Sequence, residues 1–375
     1  MKHLTASDME QLAILSFQAR KHYNYLIDML QDYYSQTGKI ASKEYLFGME
    51  RIGKNYLGNK FYIMSVARKN FYTAIYSGRR PPRSTENPMP ITVKATYKDK
   101  MLCIPATPFT SALSFPVELT RNPNDMKSVT LIPVHGSLDY WEAAILYKAE
   151  CPNVSMGGDI CELNIAAIDI GIENFATVAT NNLSIDNIII DGKRLKGIIY
   201  QYFNSANDPK HKIRYRNQIF DYVNKTTQII TDYCIVNNIK IVVLGEGLIN
   251  AKYRKQSSNY FVSRFPFSEL RRNLQIKLRL NGIVLFEVSE AFTSQASFID
   301  GDYIPRDITR HKHTFSGKRK HRGLYVSKDG YKLNADINAC YNILAKSNFC
   351  DMSHLREHPE ILERLVPIRI DPLDP

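Results

Sequence analysis

Two carboxylates occupy positions where apolar surroundings normally exclude charge. The segment NIAAIDIGIENFATVAT, residues 164–180, predicts an apolar strand that contains Asp169. Near the other end of the chain, Asp336 begins the predicted helix NADINACYNILA and shares a helical face with Ala339, Cys340 and Ile343. An unpaired buried carboxylate is costly and tends to take up a proton. Each acid therefore requires a partner or a role.

Divalent cations are one possible role for these acids. Two neighbouring carboxylates repel each other unless cations hold them together. A pair of metal ions about 4 Å apart is the usual device of enzymes that hydrolyse phosphodiesters. The other interpretation is structural, because Asp is also common as a turn residue after a strand and as the N-cap of a helix. The spacing alone leaves both interpretations open.

The elements that must position the two acids alternate along residues 164–346. They are an antiparallel meander of three short strands, a helical stretch, a buried strand, a second helix, a further strand and a final helix. After the meander, these elements are predicted at about 193–237, at 239–245, in PFSELRRNLQIKLRLNG and at 283–288, followed by a loop-rich basic segment over 296–332 and the helix that carries Asp336. The order β-β-β-α-β-α-β-α is that of the ribonuclease H-like topology.

The first half of the chain has a different pattern. Ser7-Asp8-Met9-Glu10 predicts a helix start, and helical periodicity continues to about residue 77, before a linker at 78–90 that is rich in breakers. Short β-prone pieces over 91–150 indicate a small barrel or sandwich. We therefore predict a helical region at 1–85, a small β-barrel at 86–157 and an α/β domain at 158–375. The aromatic-rich helices at 55–76 and Trp141 are expected to be core.

Composition restricts the class of protein. The 375 residues carry a formal net charge of +12 at pH 7, which favours a polyanionic partner such as nucleic acid. The six cysteines are scattered without C-x-x-C spacing, which argues against a disulfide framework. No apolar run could span a bilayer and no secretory leader opens the chain. The sequence thus predicts an intracellular location, in the cytoplasm or nucleoid of a prokaryote or the nucleus of a eukaryote.

Two basic segments flank the acids in sequence, at 251–282 and 303–332. The second contains nine Lys or Arg residues against two Asp. A charge run is usually a solvated surface, but interleaved Tyr, Phe and His favour nucleic-acid binding, because aromatic rings stack on unpaired bases. The acidic tail from Asp351 is given no such role. The candidate nucleic-acid contacts are Lys252, Arg254, Lys255, Arg271, Arg272, Lys318, Arg319, Lys320 and Arg322.

Four segments over roughly 160–346 resemble TnpB proteins, the RNA-guided nucleases of insertion sequences, which are related to the Fanzor proteins. They are AIDIGIENFATVAT, RNQIFDYVNKTTQIITDYCIVNNIKIVVLG, FEVSEAFTSQASFIDGD and KLNADINACYNIL. The resemblance implies a RuvC-like nuclease domain with a nucleic-acid-binding insertion at about 250–332, preceded by a helical recognition region and a barrel called the wedge. It also implies a monomer with guide RNA that cleaves double-stranded target DNA with two Mg²⁺ ions.

The resemblance further implies that Asp169 and Asp336 are two of three metal-binding, catalytic acids. Most relatives carry the middle acid at the end of the second core strand, where this chain has Gly245, with Glu246 one residue later. A shift by one residue turns a strand side chain to the opposite face, so Glu246 is a poor substitute. Fanzor-like relatives place the acid after the next strand, at the position of Glu290. We predict Glu290 as the third acid.

Two departures from the family pattern bear on function. Relatives often have two C-x-x-C pairs after T-S-Q, where this chain has Ala296 and Phe298, so we predict no zinc. The glycine at position 245 leaves open a guided DNA-binding repressor that does not cleave. An actin-like ATPase is a third possibility, because its first phosphate loop also follows a strand as D-x-G-x-x.

Overall fold

The computed structural model describes residues 4–50, 56–58, 60–76, 88–119, 121–134, 138–152, 163–205, 209–246, 264–306, 313–321 and 323–374. The chain divides into two compact units, Met1–Ala149 and Glu150–Pro375, each with buried apolar clusters of its own. It is therefore a multidomain α/β protein, as predicted. No helix within the described ranges is long and apolar enough to cross a membrane.

The first unit begins with three helices, α1 (Ala6–Thr37), α2 (Lys43–Glu50) and α3 (Ile63–Tyr76). The cap of α1 is Thr5, whose side chain accepts from the Asp8 backbone while Asp8 caps Thr5 in return. The predicted start at Ser7 was therefore wrong by two residues, because Thr5 forms the capping box. The aromatic residues of α3 were only partly predicted: Phe71 is buried, but Tyr72 and Tyr76 are 47% and 73% exposed.

In the described part of the first unit, six strands form two three-stranded antiparallel sheets, ordered β1-β5-β6 and β2-β3-β4. They pack with α1 and α3 around one core, in which Trp141 is buried as predicted. The predicted boundary at residue 85 thus separates a helical part from a β part inside one compact unit. Closure of the two sheets into a barrel stays a prediction. The strands are β1 (Ile91–Val93), β2 (Thr96–Lys98), β3 (Met101–Ile104), β4 (Leu113–Pro116), β5 (Met126–Pro133) and β6 (Trp141–Tyr147), with a 3-10 turn at Pro123–Asp125.

The second unit contains nine strands and six helices in its described part. The first half comprises β7 (Asn164–Asp169), β8 (Asn174–Thr180), β9 (Ile188–Asp191), α4 (Lys193–Asn204), α5 (Pro209–Val236) and β10 (Ile239–Gly245). The second half comprises α6 (Phe267–Leu280), β11 (Val284–Val288), β12 (Lys318–His321), β13 (Leu324–Val326), β14 (Lys332–Leu333), α7 (Ala335–Ser347), α8 (Ser353–Arg356), α9 (Pro359–Arg364) and β15 (Ile368–Ile370).

A six-stranded sheet, ordered β11-β10-β7-β8-β9-β15, organises this unit. Strands β7, β8 and β9 form the predicted antiparallel meander, and β10 and β11 add in parallel beside β7. Three features differ from the expectation. The helical stretch is broken into α4 and α5, the basic segment contains the antiparallel sheet β12-β13-β14, and the tail adds β15 in parallel to β9. The strands among these pieces have two to four residues, which is too few to show a clear period in the sequence.

The sheet is covered on both faces, which explains why β7 is apolar throughout. Ala166 and Ile168 belong to the core formed with α4, α5 and α6. Ile165 and Ala167 belong to the opposite core, formed with α7. Alternation along the strand therefore decides which face each following side chain joins.

Candidate active site

The sheet directs residues 169 and 245 to the face covered by α7. In β7, Asp169 continues the alternation of Ile165 and Ala167, which pack against α7. In the adjacent parallel strand β10, Gly245 continues the alternation of Ile241 and Val243 on that same face. The ends of two neighbouring strands thus lie beside the helix that carries Asp336.

Glu290 fills the space beside Gly245. Strand β11 pairs in parallel with β10, with Gly245 opposite Val288, and Glu290 follows two residues later. A Cβ atom at position 245 would lie 2.1 Å from Glu290 Oε1, 2.6 Å from its Cγ and 2.7 Å from its Cδ. Only glycine at position 245 therefore leaves room for the Glu290 carboxylate in this position.

Two of the predicted acids, Glu290 and Asp336, act electrostatically on the third, Asp169. Burial raises the pKa of Asp169 well above its ordinary value, and the negative charges of Glu290 and Asp336 raise it further. The Arg319 guanidinium acts in the opposite direction. The structure therefore brings Asp169, Glu290 and Asp336 together around one concentration of negative charge.

Asp336 lies in the first turn of α7 but does not cap it. The cap is Asn334, whose side chain accepts from the backbone N–H groups of Asp336 and Ile337 at 3.0 Å and 3.3 Å. The carboxylate instead accepts from Arg319 Nη2 at 3.0 Å through Oδ1 and from Asn174 Nδ2 at 2.5 Å through Oδ2. The structural interpretation of Asp336 as a helix cap was therefore wrong.

The donor set suits a hard divalent cation. Carboxylate oxygens are the ligands that Mg²⁺ prefers, and a cation would relieve the repulsion that raises the pKa of Asp169. As the side chains stand, Asp336 is engaged by Arg319 and Asn174. In the described ranges, no group of three or more His, Cys, Asp or Glu side chains is arranged so that it could hold a metal ion.

Glu246, the rival third acid, is used differently. It alternates with Leu244, which belongs to the core on the opposite face of the sheet. Its backbone N–H donates to the Val288 carbonyl at 2.8 Å, and its own carbonyl accepts from Arg271. Glu246 is not among the charges that shift the pKa of Asp169.

Comparison with known proteins identifies a family model and solved structures that are similar to this chain. The family model of the Cas12f1-like TNB domain matches residues 267–343, hereafter the TNB segment. The chain is also similar in structure to a Cas12f1–sgRNA–target DNA complex determined by cryo-EM, with a TM-score of 0.54 over 90% of this chain and 82% of that one, at 15% identity. The resemblance to TnpB/Cas12f-type RNA-guided nucleases is confirmed.

Two further comparisons define the limits of this likeness. A CRISPR–Cas12f ternary complex aligns over 88% of this chain and 80% of its own at 16% identity, but its TM-score of 0.33 is too low to indicate a common fold. No curated protein matches the chain. The TNB segment contains Glu290, Arg319 and Asp336, whereas Asp169 precedes it. The Fanzor-like placement of the middle acid and the absence of zinc stay predictions.

The predicted nucleic-acid contacts on α6 and β12 have different environments. Lys318 and Lys320 are exposed on β12, and Arg272 is exposed on α6. Arg271, by contrast, forms an ion pair with Glu287 at 3.0 Å and donates to the Glu246 carbonyl. Its guanidinium therefore joins α6 to the end of β10, which is a structural use that the sequence did not predict. The remaining candidates, Lys252, Arg254, Lys255 and Arg322, lie outside the described residues.

Sequence reasoning missed two polar residues behind Asp336. Asn174 holds the Asp336 carboxylate, and Arg369 Nη1 donates to Asn174 Oδ1 at 3.2 Å. Asn174 lies within the first TnpB-like segment, so its position there was an available signal. Arg369 lies in the acidic tail, and no sequence pattern marks it. Strand β15 brings it to the site by pairing with β9.

Proposed function

We propose that this protein is a transposon-encoded, RNA-guided DNA endonuclease whose carboxylates Asp169, Glu290 and Asp336 hold divalent metal for phosphodiester hydrolysis. The observation that carries the proposal is Glu290 at Gly245, where a Cβ atom would lie 2.1 Å from the carboxylate oxygen. The middle acid has been relocated rather than lost. A guided repressor without cleavage would have no reason to keep three repelling acids together.

The order of the strands supports a RuvC-like, ribonuclease H-like assignment for the second unit. In β11-β10-β7-β8-β9, the first strand of the meander is central and the two later strands add in parallel on one side. The meander of three strands followed by two later strands is the chain order from which that topology was predicted. The first unit would serve as the helical recognition region and wedge that hold guide RNA, while guide–target pairing reads the DNA sequence.

Each residue of the site has a chemical role in this proposal. Bound Mg²⁺ would supply an activated water and neutralise charge on the phosphate. Asp169, Glu290 and Asp336 would hold it, and Asn174 would orient the Asp336 carboxylate, as it does in the structure. Outside the acids, exposed lysines on β12 would bind phosphates, which position the strand without reading its sequence.

Plasmid nicking by the protein purified with its RNA tests this function. Asp169→Asn, Glu290→Gln and Asp336→Asn should each abolish Mg²⁺-dependent cleavage while leaving guide and target binding intact. Glu246→Gln is the matched control and should keep most activity, because its side chain alternates toward the other face. Normal cutting by Glu290→Gln together with a dead Glu246→Gln would refute the relocated site.

The wild type separates the remaining alternatives. Guide-dependent DNA binding without nicking would favour the repressor. Nucleotide hydrolysis in the absence of nucleic acid would favour the actin-like ATPase. Sequencing the RNA that co-purifies with the protein would identify the guide.

A further inference from the structure

One side of α7 presents a row of nitrogen donors to the turn that follows Glu290. The donors are the side chains of Asn338, Asn342 and Lys346, hereafter the donor row, which are four residues apart and therefore lie one above another on the helix. Asn338 and Asn342 are each only 1% exposed. Amide groups that are buried this completely need hydrogen-bond partners inside the protein. The donor row must therefore serve a particular internal contact.

The two asparagines bind backbone carbonyls of the turn over residues 290–296. Asn342 Nδ2 donates to the Thr293 carbonyl at 2.8 Å and to the Ala296 carbonyl at 2.7 Å. Asn338 Nδ2 donates to the Ala296 carbonyl as well, at 2.9 Å. Both amides therefore fix the middle and the end of this turn to the helix.

The donor row also holds the backbone on either side of these carbonyls. Lys346 Nζ donates to the Ala291 carbonyl at 3.1 Å, at the residue directly after Glu290. Beyond the turn, the Phe298 backbone N–H donates to Asn338 Oδ1 at 3.1 Å. The contacts with α7 thus extend along the turn from its first residues to its end.

The turn, and not the sheet, determines where Glu290 lies. Strand β11 ends at Val288, so Glu290 lies two residues beyond the last strand residue. Its carbonyl accepts from the backbone N–H and the hydroxyl of Thr293, at 3.2 Å and 2.9 Å. Phe292 has a φ of +65°, in the left-handed region that bulky residues rarely adopt. Such strain persists only where the surrounding structure imposes it, and the donor row binds the carbonyls on both sides of Phe292.

The same helix carries a second acid of the candidate site. Asp336 lies in the first turn of α7, two residues before Asn338. The donor row therefore connects the turn of Glu290 to the helix of Asp336 through backbone carbonyls. A turn that loses these bonds is free to shift, and a displacement of about 1 Å at a reacting centre can cost about 10²-fold in rate.

We propose that Asn338, Asn342 and Lys346 are positioning residues that hold Glu290 in place relative to Asp336 for metal binding. The inference rests on the proposed function, because it requires that the acids hold metal. The three side chains act through the backbone of the turn and do not themselves bind the metal or the DNA. An acid that lies beyond the end of its strand needs this support, because the sheet no longer fixes its backbone.

Binding of Mn²⁺ to the full chain, freed of RNA, tests this role without using cleavage. Electron paramagnetic resonance measures the free ion, and the binding that Asp169→Asn lacks is assigned to the acids. Asn342→Ala removes two bonds to the turn and should weaken this binding by about 10-fold to about 100-fold, as is usual for residues that orient metal ligands. In the Glu290→Gln background, the same substitution should change the remaining affinity by less than about 2-fold, because the acid that it positions is gone.

Asn187→Ala is the matched control for lost stability. Asn187 is 3% exposed and donates to the Tyr341 hydroxyl of α7 at 3.0 Å, so it supports the helix rather than the turn. Its substitution should lower the melting temperature and leave the Mn²⁺ affinity unchanged.

Lys346 decides the question if Asn342→Ala does not fold, because the lysine is only partly buried. Lys346→Met keeps the aliphatic stem and loses the donor, so it should weaken Mn²⁺ binding. Removal of a positive charge would by itself favour a cation, so weaker binding cannot result from the charge. Lys346→Arg keeps both the charge and a donor, and its affinity should stay near that of the wild type.

The outcomes distinguish this inference from the proposed function. Equal losses of Mn²⁺ affinity in Asn342→Ala and Asn187→Ala would overturn the positioning role, because a general loss of stability would explain both. An undiminished further loss in the Glu290→Gln background would overturn it too. Unchanged Mn²⁺ affinity in Asn342→Ala and Lys346→Met, with a wild type that nicks plasmid, would refute the donor row and leave the nuclease standing. Mn²⁺ binding that depends on the donor row, in a wild type that never nicks, would refute the nuclease and leave the positioning role standing.

Discussion

Substitution of Gly245 by alanine should inactivate the site without unfolding the protein. The new Cβ atom would lie 2.1 Å from Glu290 Oε1, whereas ordinary contacts begin at 3.4 Å. The carboxylate must therefore move by more than 1 Å. Since it is the far end of a flexible side chain, it can rotate away at little cost to stability. Gly245 does not have a positive φ, so alanine introduces no backbone strain.

The expected loss of activity follows from that displacement. A misplacement of about 1 Å at a reacting centre can cost about 10²-fold in rate. We expect Gly245→Ala to nick plasmid about 10²-fold more slowly at saturating Mg²⁺, while guide binding, target binding and melting temperature stay near those of the wild type. Single-turnover nicking and a thermal melt on the same preparation measure both properties.

A matched control and a rescue make this prediction sharp. Gly197→Ala is the same change in an exposed turn of α4, where a Cβ atom meets nothing within 4 Å, so activity should be unchanged. In Gly245→Glu/Glu290→Ala, the acid returns to the strand and the clashing atoms are removed, so part of the activity should return. Full activity in Gly245→Ala, or a rescue no better than Glu290→Ala alone, would refute the account of the relocated acid.

Three further predictions concern the surroundings of the acids. Burial raises the pKa of Asp169, so without divalent metal this residue destabilises the folded protein increasingly as pH rises from the ordinary pKa of 3.8 toward the folded pKa. Asp169→Asn should therefore melt at a higher temperature than the wild type at neutral pH but not at acid pH. A lower melting temperature of the variant at neutral pH would contradict this. Lys318→Ala/Lys320→Ala should weaken binding of all DNA sequences alike and release about two fewer counterions in a salt titration, whereas an altered sequence preference would count against a phosphate role. Arg369 donates to the Asn174 amide that holds Asp336. Arg369→Ala should therefore lower both the Mg²⁺ affinity, measured by calorimetry, and the rate of cleavage by about 10-fold to about 100-fold. An unchanged Mg²⁺ affinity would exclude this supporting role.

Much of the sheet and two of the acids could be predicted from sequence because strand periodicity fixes side-chain direction. The apolar run of β7 indicates a strand buried on both faces, with Asp169 at its end. The same alternation disfavours Glu246, because it follows Leu244 by two residues. Resemblance to known nucleases was needed for Glu290, since a carboxylate two residues beyond a strand is ordinary on its own.

The interactions that support the acids could not be predicted, because they join distant parts of the chain. The bond from Arg369 to Asn174 spans 195 residues and depends on β15, a three-residue strand in an acidic tail. Arg271 belongs to a basic run that favours nucleic acid, yet its guanidinium is engaged by Glu287 and Glu246. Composition gives the sign of the charge on a surface, whereas only the contacts show which charged side chains are already paired within the protein.

Arg319 offsets part of the negative charge of the three acids in the folded chain. Burial raises the pKa of Asp169, and the charges of Glu290 and Asp336 raise it further. The Arg319 guanidinium opposes this effect and contacts Asp336 at 3.0 Å. An arginine keeps its charge at any physiological pH, so it supplies part of the compensation that a cation would otherwise provide.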